Sequence, residues 1–261
     1  MSTCKYNQIN RLFLFLFLIP SLSWATEPYS PKVVNPLSES WRWKHFPELE
    51  GKGVRSIVED ANGIVWMGYN EGVFEYDGYT WKEHTAGKGL PASPVEEVFA
   101  ARNGNIYAAA SNGIFRYDRN SWTPVLEPEK GFAIQFHEIT ELSDGSLMFS
   151  TGQGAIHLSE KRKPYFYTSA ARIENLKRYF KDVQWVRLPE EAVGSAGFND
   201  ISDVLEGQNG MIWFALTMPN ETGRLLKFKL PAQPGAYITD YELIKSGPGF
   251  QLGEGQKLIQ A

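Results

Sequence analysis

The sequence predicts an all-β protein of the β-propeller class, and three observations predict it. A segment of the chain repeats at an interval of 41 residues. Each copy carries an Asn-Gly or Asp-Gly pair at the same place. The residues on either side of that pair alternate between apolar and polar.

The interval is read from the turn pairs. Asn62-Gly63, Asn103-Gly104 and Asp144-Gly145 are each 41 apart, and Gly72, Gly113 and Gly154 keep the same spacing. A fourth copy centres on Asn209-Gly210, 65 residues after the third, so about 24 extra residues lie between those two units. Asn-Gly and Asp-Gly tolerate positive φ at both central turn positions and fold two strands into a tight hairpin. The alternation of Val54, Ser56 and Val58 with Arg55, Ile57 and Glu59 gives a strand two faces. Each unit therefore reads as four short strands, in the first unit about 54–59, 64–69, 73–76 and 79–84. One such sheet buries little alone, and stacking around an axis buries both faces. Shorter repeats would mark a solenoid, and a sandwich has no cause to repeat its sequence. The expected blades are about 54–84, 95–125, 136–167 and 201–230. The resemblance of Trp41-Arg-Trp43-Lys-His45 to Trp81-Lys-Glu-His84 places an outer, ring-clasping strand at 40–46, so the propeller domain is expected over 40–261.

Between the third and fourth blades an insertion runs over about 160–198. Its Ile173, Leu176 and Phe180 have helical spacing, and 184–188 reads as a strand. Long insertions are often functional, and a decorated loop packed on the ring is the plainer reading.

The amino terminus reads as a secretory leader. Lys5 and Arg11 form a basic start, Leu12 to Ile19 an apolar core, and Ser23 and Ala25 the small residues of a cleavage site. The apolar run is shorter than the roughly 20 residues that span a bilayer. Residues 1–25 are the expected leader and 26–39 a linker. The leader holds two bases and no acids, so cleavage takes the net charge from −4 to −6. That charge argues against nucleic acid as a partner, which clustered bases would serve. The single cysteine, Cys4, lies in the leader, so the mature chain carries no disulfide framework. Exported to the periplasm, it would have no thiol to oxidise.

The repeat resembles the two-component regulator propeller repeat. The residues that carry the likeness are Ile57, Glu59-Asp60, Gly63, Trp66, Gly68, Gly72-Val73 and Tyr76-Asp77, with Gly89-Leu90-Pro91 leading into Val95. In the second blade Tyr107 and Ala109 stand where the first has Trp66 and Gly68, and in the third Met148 replaces the tryptophan. The resemblance implies an extracytoplasmic sensor of a bacterial signalling receptor. Such repeats are often followed by a membrane helix and a histidine kinase or diguanylate cyclase. Seven blades would need roughly 290 residues, so the chain is expected to be an amino-terminal fragment of an incomplete ring. Any membrane attachment, dimerisation or output would belong to the longer parent.

No catalytic residue, metal site or cofactor is expected from the sequence. His45, His84, His137 and His157 show no metal-ligand spacing. Glu59-Asp60 precedes a turn and reads as a cap for backbone N–H groups. The recurrence of tryptophan at blade positions reads as core packing. If a small polar or glycan ligand binds, the turns joining second to third strands share one rim with the blade-to-blade loops, including 85–94. That rim makes Asn70, Glu71, Ser111, Asn112, Thr151 and Gln153 the candidate ligand residues. The leading function is a non-catalytic ligand-sensing or interaction module. The alternatives are a propeller-fold secreted enzyme of lyase or glycosidase type and a free-standing secreted scaffold.

Overall fold

The computed structural model describes residues 39, 42–193, 200–217, 223–231 and 237–245. The expected leader, most of the linker and the carboxy-terminal residues from 246 lie outside them. The chain divides into two compact units, Met1–Phe46 and Pro47–Ala261. In the first, Arg42 pairs with Glu39, and the Lys44 ammonium lies 4.9 Å from the Phe46 ring centroid.

The second unit holds four sheets in a propeller-type array. The first is β1 (Ser56–Glu59), β2 (Val65–Tyr69), β3 (Gly72–Tyr76) and β4 (Trp81–His84), and the second is β5 (Val95–Ala100), β6 (Ile106–Ala110), β7 (Gly113–Asp118) and β8 (Ser121–Leu126). Both are antiparallel meanders in chain order. Asn62, Asn103 and Asp144 fall at matching bends, between the first and second strands of successive sheets. Asp60 fastens the first bend. Its Oδ1 accepts from the Asn62 and Ile64 backbone N–H groups at 2.8 and 3.1 Å, and its Oδ2 from the Trp66 indole at 3.1 Å.

The recurring glycines have a steric cause. At Gly72, Gly113 and Gly154 a Cβ would stand 2.1, 2.4 and 2.1 Å from the backbone oxygen of His84, Leu126 and Tyr167 on the outer strand. Their φ values of +158°, +151° and +139° disfavour any other residue. Gly68 answers to a different crowding, since its Cβ would meet Val95 and Val98 of the next blade at 3.0 Å. The counterparts of Gly68 are Ala109, Ser150 and Ala215, all small and buried.

Two features depart from the expected repeat. The third sheet has five strands: β9 (Phe136–Glu141), β10 (Leu147–Thr151), β11 (Gly154–Ser159), β12 (Arg162–Thr168) and β13 (Gln184–Arg187). After β12 the chain enters α1 (Ala170–Leu176), capped by the Ser169 hydroxyl, and β13 returns parallel to β12. Ile173, Leu176 and Phe180 are all buried, which seats the insertion on the sheet edge. A short α2 (Glu190–Val193) follows. The fourth sheet is β14 (Asp200–Glu206), β15 (Met211–Thr217), β16 (Arg224–Lys229) and β17 (Tyr241–Lys245). Its outer strand comes from 241–245, beyond the expected end at 230. Of the expected clasp, residues 40 and 41 lie outside the described residues, and 42–46 carry no strand assignment.

Cores form between blades. Trp66 and Val73 of the first pack on Val95, Val98 and Phe115 of the second. Met148, Tyr165 and Tyr167 of the third pack on Phe214, Leu226 and Phe228 of the fourth. Two histidines sit within these layers. His84 is 2% exposed with Nε2 3.0 Å from Glu75, and His157 is 9% exposed with Nε2 2.8 Å from the Ser146 hydroxyl. Burial lowers the pKa of both; the Glu75 hydrogen bond opposes this at His84 and the Asp144 charge at His157. The unfolded chain then binds more protons than the folded one below the ordinary histidine value of about 6.5, so stability falls as pH drops through that window. A melting series from about pH 7.5 to 5 is expected to show Tm falling by roughly 3 °C or more. An unchanged Tm across that range would show that neither imidazole resists protonation.

Candidate functional site

The innermost strands β1, β5, β9 and β14 lie side by side. In the last three of these the pairing slips at one equivalent place. Val95 pairs with Ala110 and Glu97 with Ala109; Phe136 pairs with Thr151 and Glu138 with Ser150; Ile201 pairs with Leu216 and Asp203 with Ala215. Glu96, His137 and Ser202 are thus the extra residues of a β-bulge, each seven positions before its turn pair. A bulge bends the strand and re-aims the side chain. Arg55 holds this position in the first blade.

These side chains meet across blades. Arg55 Nη1 donates to Glu96 Oε2 at 2.8 Å, and its Nε donates to Asn70 Oδ1 at 3.2 Å. His137 Nε2 lies 2.7 Å from Asp200 Oδ1. None is sealed off: side-chain exposures are 43% for Arg55, 28% for Glu96, 23% for His137 and 38% for Asp200. One residue along, the register aligns Ser56, Glu97, Glu138 and Asp203. Ser56 Oγ accepts from the Val98 N–H at 3.0 Å, which ties the first two blades. The insertion adds a base to the same rim. Arg172 of α1 donates to the Gly152 carbonyl at 2.7 Å, in the turn between β10 and β11. Burial lowers its guanidinium pKa, and the Asp200 charge opposes that. The rim therefore offers two carboxylates, an imidazole and two guanidiniums, a set suited to hydroxyl or ammonium groups.

The sequence candidates divide. Asn70 and Glu71 are exposed at the β2–β3 turn, and Asn70 joins the rim through Arg55. Ser111 and Asn112 are half-buried. The Ser111 carbonyl accepts from Ile134 N–H at 2.6 Å and Asn112 Oδ1 from the Ser93 hydroxyl at 2.9 Å, so both fasten incoming loops. Thr151 is fully buried, donating to the Gly154 carbonyl at 2.8 Å and accepting from the Gln153 N–H at 3.1 Å. The Gln153 side-chain oxygen accepts from Gln135 N–H at 3.4 Å. Arg55, Glu96, His137, Arg172 and Asp200 were not among the candidates. His137 and its partner are 63 residues apart across the insertion, and no local spacing joins them. The signal that could have found the set is a polar residue seven before every turn pair.

At the opposite rim the bends are sewn together. Glu141 accepts from Arg102 N–H at 2.8 Å, and Glu206 accepts from the Ser143 N–H and, at 2.7 Å, from its hydroxyl. Among the described residues no group of three or more His, Cys, Asp or Glu is placed to hold a metal ion, and no helix is long and apolar enough to cross a membrane.

The fold defines a β-propeller protein. No family model matches the chain, and no curated protein matches it. Similar solved structures include a streptogramin B lyase (TM-score 0.45, 18% identity, 69% of this chain and 55% of that one). The extracellular domain assigned to a hybrid two-component system of B. thetaiotaomicron is another (0.40, 15%, 77% and 30%). A protein assigned as a gluconolactonase is a third (0.44, 12%, 74% and 63%). The chain spans about half the length of the lyase and under a third of the two-component domain. The propellers it resembles thus include both extracellular domains assigned to two-component systems and enzymes. The expectation that the chain is not an enzyme is corrected on that finding. His137 and Asp200 form a histidine–carboxylate pair across the junction of the third and fourth blades.

Proposed function

We propose that this chain is an exported propeller that captures a small polar ligand at the bulged axial rim, as the ligand-sensing part of a bacterial signalling receptor. Export would follow cleavage after Ala25. The observation that carries the reading is the bulge repeated at Glu96, His137 and Ser202. It turns three otherwise structural strands toward one rim, where blade-to-blade pairs hold the side chains partly open to solvent. Polar groups that converge while staying accessible suit a hydroxyl-rich or amino-bearing ligand, since each can exchange a blade-to-blade contact for a ligand contact.

Calorimetric titration with a panel of neutral sugars, amino sugars and polyamines tests this. His137→Ala and Arg55→Ala are each expected to weaken binding of the panel's best ligand about ten-fold, or roughly 1.4 kcal/mol, with Tm nearly unchanged. A ligand bound equally well by both variants would place the site elsewhere. Mass spectrometry of the ligand after incubation reads whether the His137–Asp200 pair also moves a proton on it.

A further inference from the structure

The second and third blades do not fill their junction as the first and second do. Between the first two, the rings of Trp66, His84, Tyr117 and Trp122 close on one another. Their centroids are 5.1 Å apart for Trp66 and Tyr117, 6.3 Å for Trp66 and Trp122 and 5.0 Å for His84 and Tyr117. One repeat later Leu158 takes the place of Tyr117, and Lys163 and Pro164 stand where Trp122 does. Two large rings are thereby lost from one place, and a cavity of about 240 Å³ opens between the blades. Gly145 of the third bend lines it, so it lies toward the rim opposite His137.

The cavity has an apolar floor and a cationic wall. Val125, Leu147, Leu158 and Pro164 supply the floor, and Tyr107, Arg116 and Arg162 stand over it. Arg116 pairs with Tyr107 across β6 and β7 and holds the repeat position of Glu75. In the first blade that acid is answered by Lys82 and His84. In the second the charge is reversed. Arg55 and Arg102 are paired with Glu96 and Glu141, whereas neither Arg116 nor Arg162 forms an ion pair among the described residues. Glu160 also lines the cavity, but its carboxylate accepts from the Asn103 and Asn105 amides at 3.2 and 3.5 Å. Tyr107 is 6% exposed, and burial raises its pKa while the Arg116 charge opposes this, so the phenol keeps its proton as a further donor.

We propose that this cavity binds a small organic carboxylate, its head toward Arg116 and Arg162 and its apolar body on Leu147 and Leu158. Two guanidiniums on one cavity repel each other, and an anion between them relieves the repulsion. A guanidinium matches a carboxylate with two parallel hydrogen bonds, and the apolar floor separates an organic acid from an inorganic anion. The volume falls below the roughly 300–1,000 Å³ of sites for drug-sized ligands, which limits the guest to a single ring or a short chain. Glu160 adds one negative charge to the lining and so favours a monoacid over a diacid. None of the axial-rim residues takes part, so the proposal is independent of the ligand reading above.

Calorimetric titration of the full chain with benzoate and hexanoate tests it. One equivalent of either is expected to bind with a Kd of about 0.1–1 mM. Benzyl alcohol keeps the ring without the charge, and inorganic phosphate keeps the charge without the apolar body; each should bind roughly ten-fold more weakly or worse. Arg116→Gln and Arg162→Gln should each weaken benzoate about ten-fold. Leu158→Tyr restores the ring of the first junction and is expected to abolish binding with Tm unchanged or raised. Arg162 is exposed, so its variant reads the site even where the Leu158 change disturbs packing. Failure of the parent chain to bind either acid, phosphate bound as tightly as benzoate, or full benzoate affinity in both arginine variants would each overturn the proposal. So would undiminished binding by a folded Leu158→Tyr chain.

Discussion

Gly154→Ala is expected to cost roughly 3–5 kcal/mol, while Gly145→Ala costs only about 1 kcal/mol. Both glycines have positive φ, +139° and +82°, so both substitutions strain the backbone. Only at Gly154 is there also a collision. Its Cβ would lie 2.1 Å from the Tyr167 carbonyl oxygen and 3.1 Å from Thr168 Cβ, whereas Gly145 has nothing within 4 Å. The Tyr167 carbonyl cannot retreat cheaply. It belongs to β12, which pairs with β11 on one side and β13 on the other, so moving it breaks two ladders. Urea unfolding of the two variants beside the parent chain checks this. Equal midpoints would mean that strain alone, and not the close strand approach, keeps glycine at every 41st residue.

That same glycine shows how much the sequence disclosed. The period and the turn pairs were readable because both rest on local sterics: Asn62, Asn103 and Asp144 must bend, and Gly72, Gly113 and Gly154 must leave room. At the position of Gly68 the later blades carry Ala109, Ser150 and Ala215. This is a tolerance, since the next blade's valines exclude size rather than demand glycine. The helix around Ile173 and Leu176 was legible from its spacing, but nothing local says that β13 runs parallel to β12. A parallel partner is chosen by contacts distant in sequence, here Phe166 stacked on Trp185 at 5.4 Å. The outer strand of the fourth blade was missed for a similar reason. It comes from 241–245, which is placed by its pairing with β16 and not by any pattern at 201–230.

The candidate site was the least legible part. A bulge adds one residue to a strand without changing its composition, so Glu96, His137 and Ser202 read as ordinary polar positions in an alternating pattern. A polar side chain at a hairpin has two uses. Asn70 reaches the rim, while Thr151 and Gln153 spend their hydrogen bonds on holding the turn and its neighbours. Distinguishing the two requires knowing which backbone groups lack partners, and that follows from blade stacking rather than from any one repeat.

Blade stacking also sets the second large effect. Phe214→Ala is expected to destabilise the chain by about 3–5 kcal/mol, the usual range for a buried aromatic. Phe214 is fully buried between the third and fourth blades. Its ring meets Tyr167 edge-on at 5.8 Å and Phe228 at 4.9 Å, so truncation removes two aromatic contacts as well as area. Val125→Ala on β8, 39% exposed, should change stability by under about 0.5 kcal/mol. Because each blade contacts mainly its neighbours, the loss should be regional. Hydrogen exchange is expected to speed up in β14–β16 and β11–β12, with β2 and β6 protected as before. The site should feel it too. Asp200 starts β14 and is held against His137 only while the two blades stay docked. A Phe214→Ala chain that exchanges uniformly faster in all four blades would mean that the sheets unfold as one cooperative block. The His137–Asp200 pair would then depend on global stability and not on the junction beneath it.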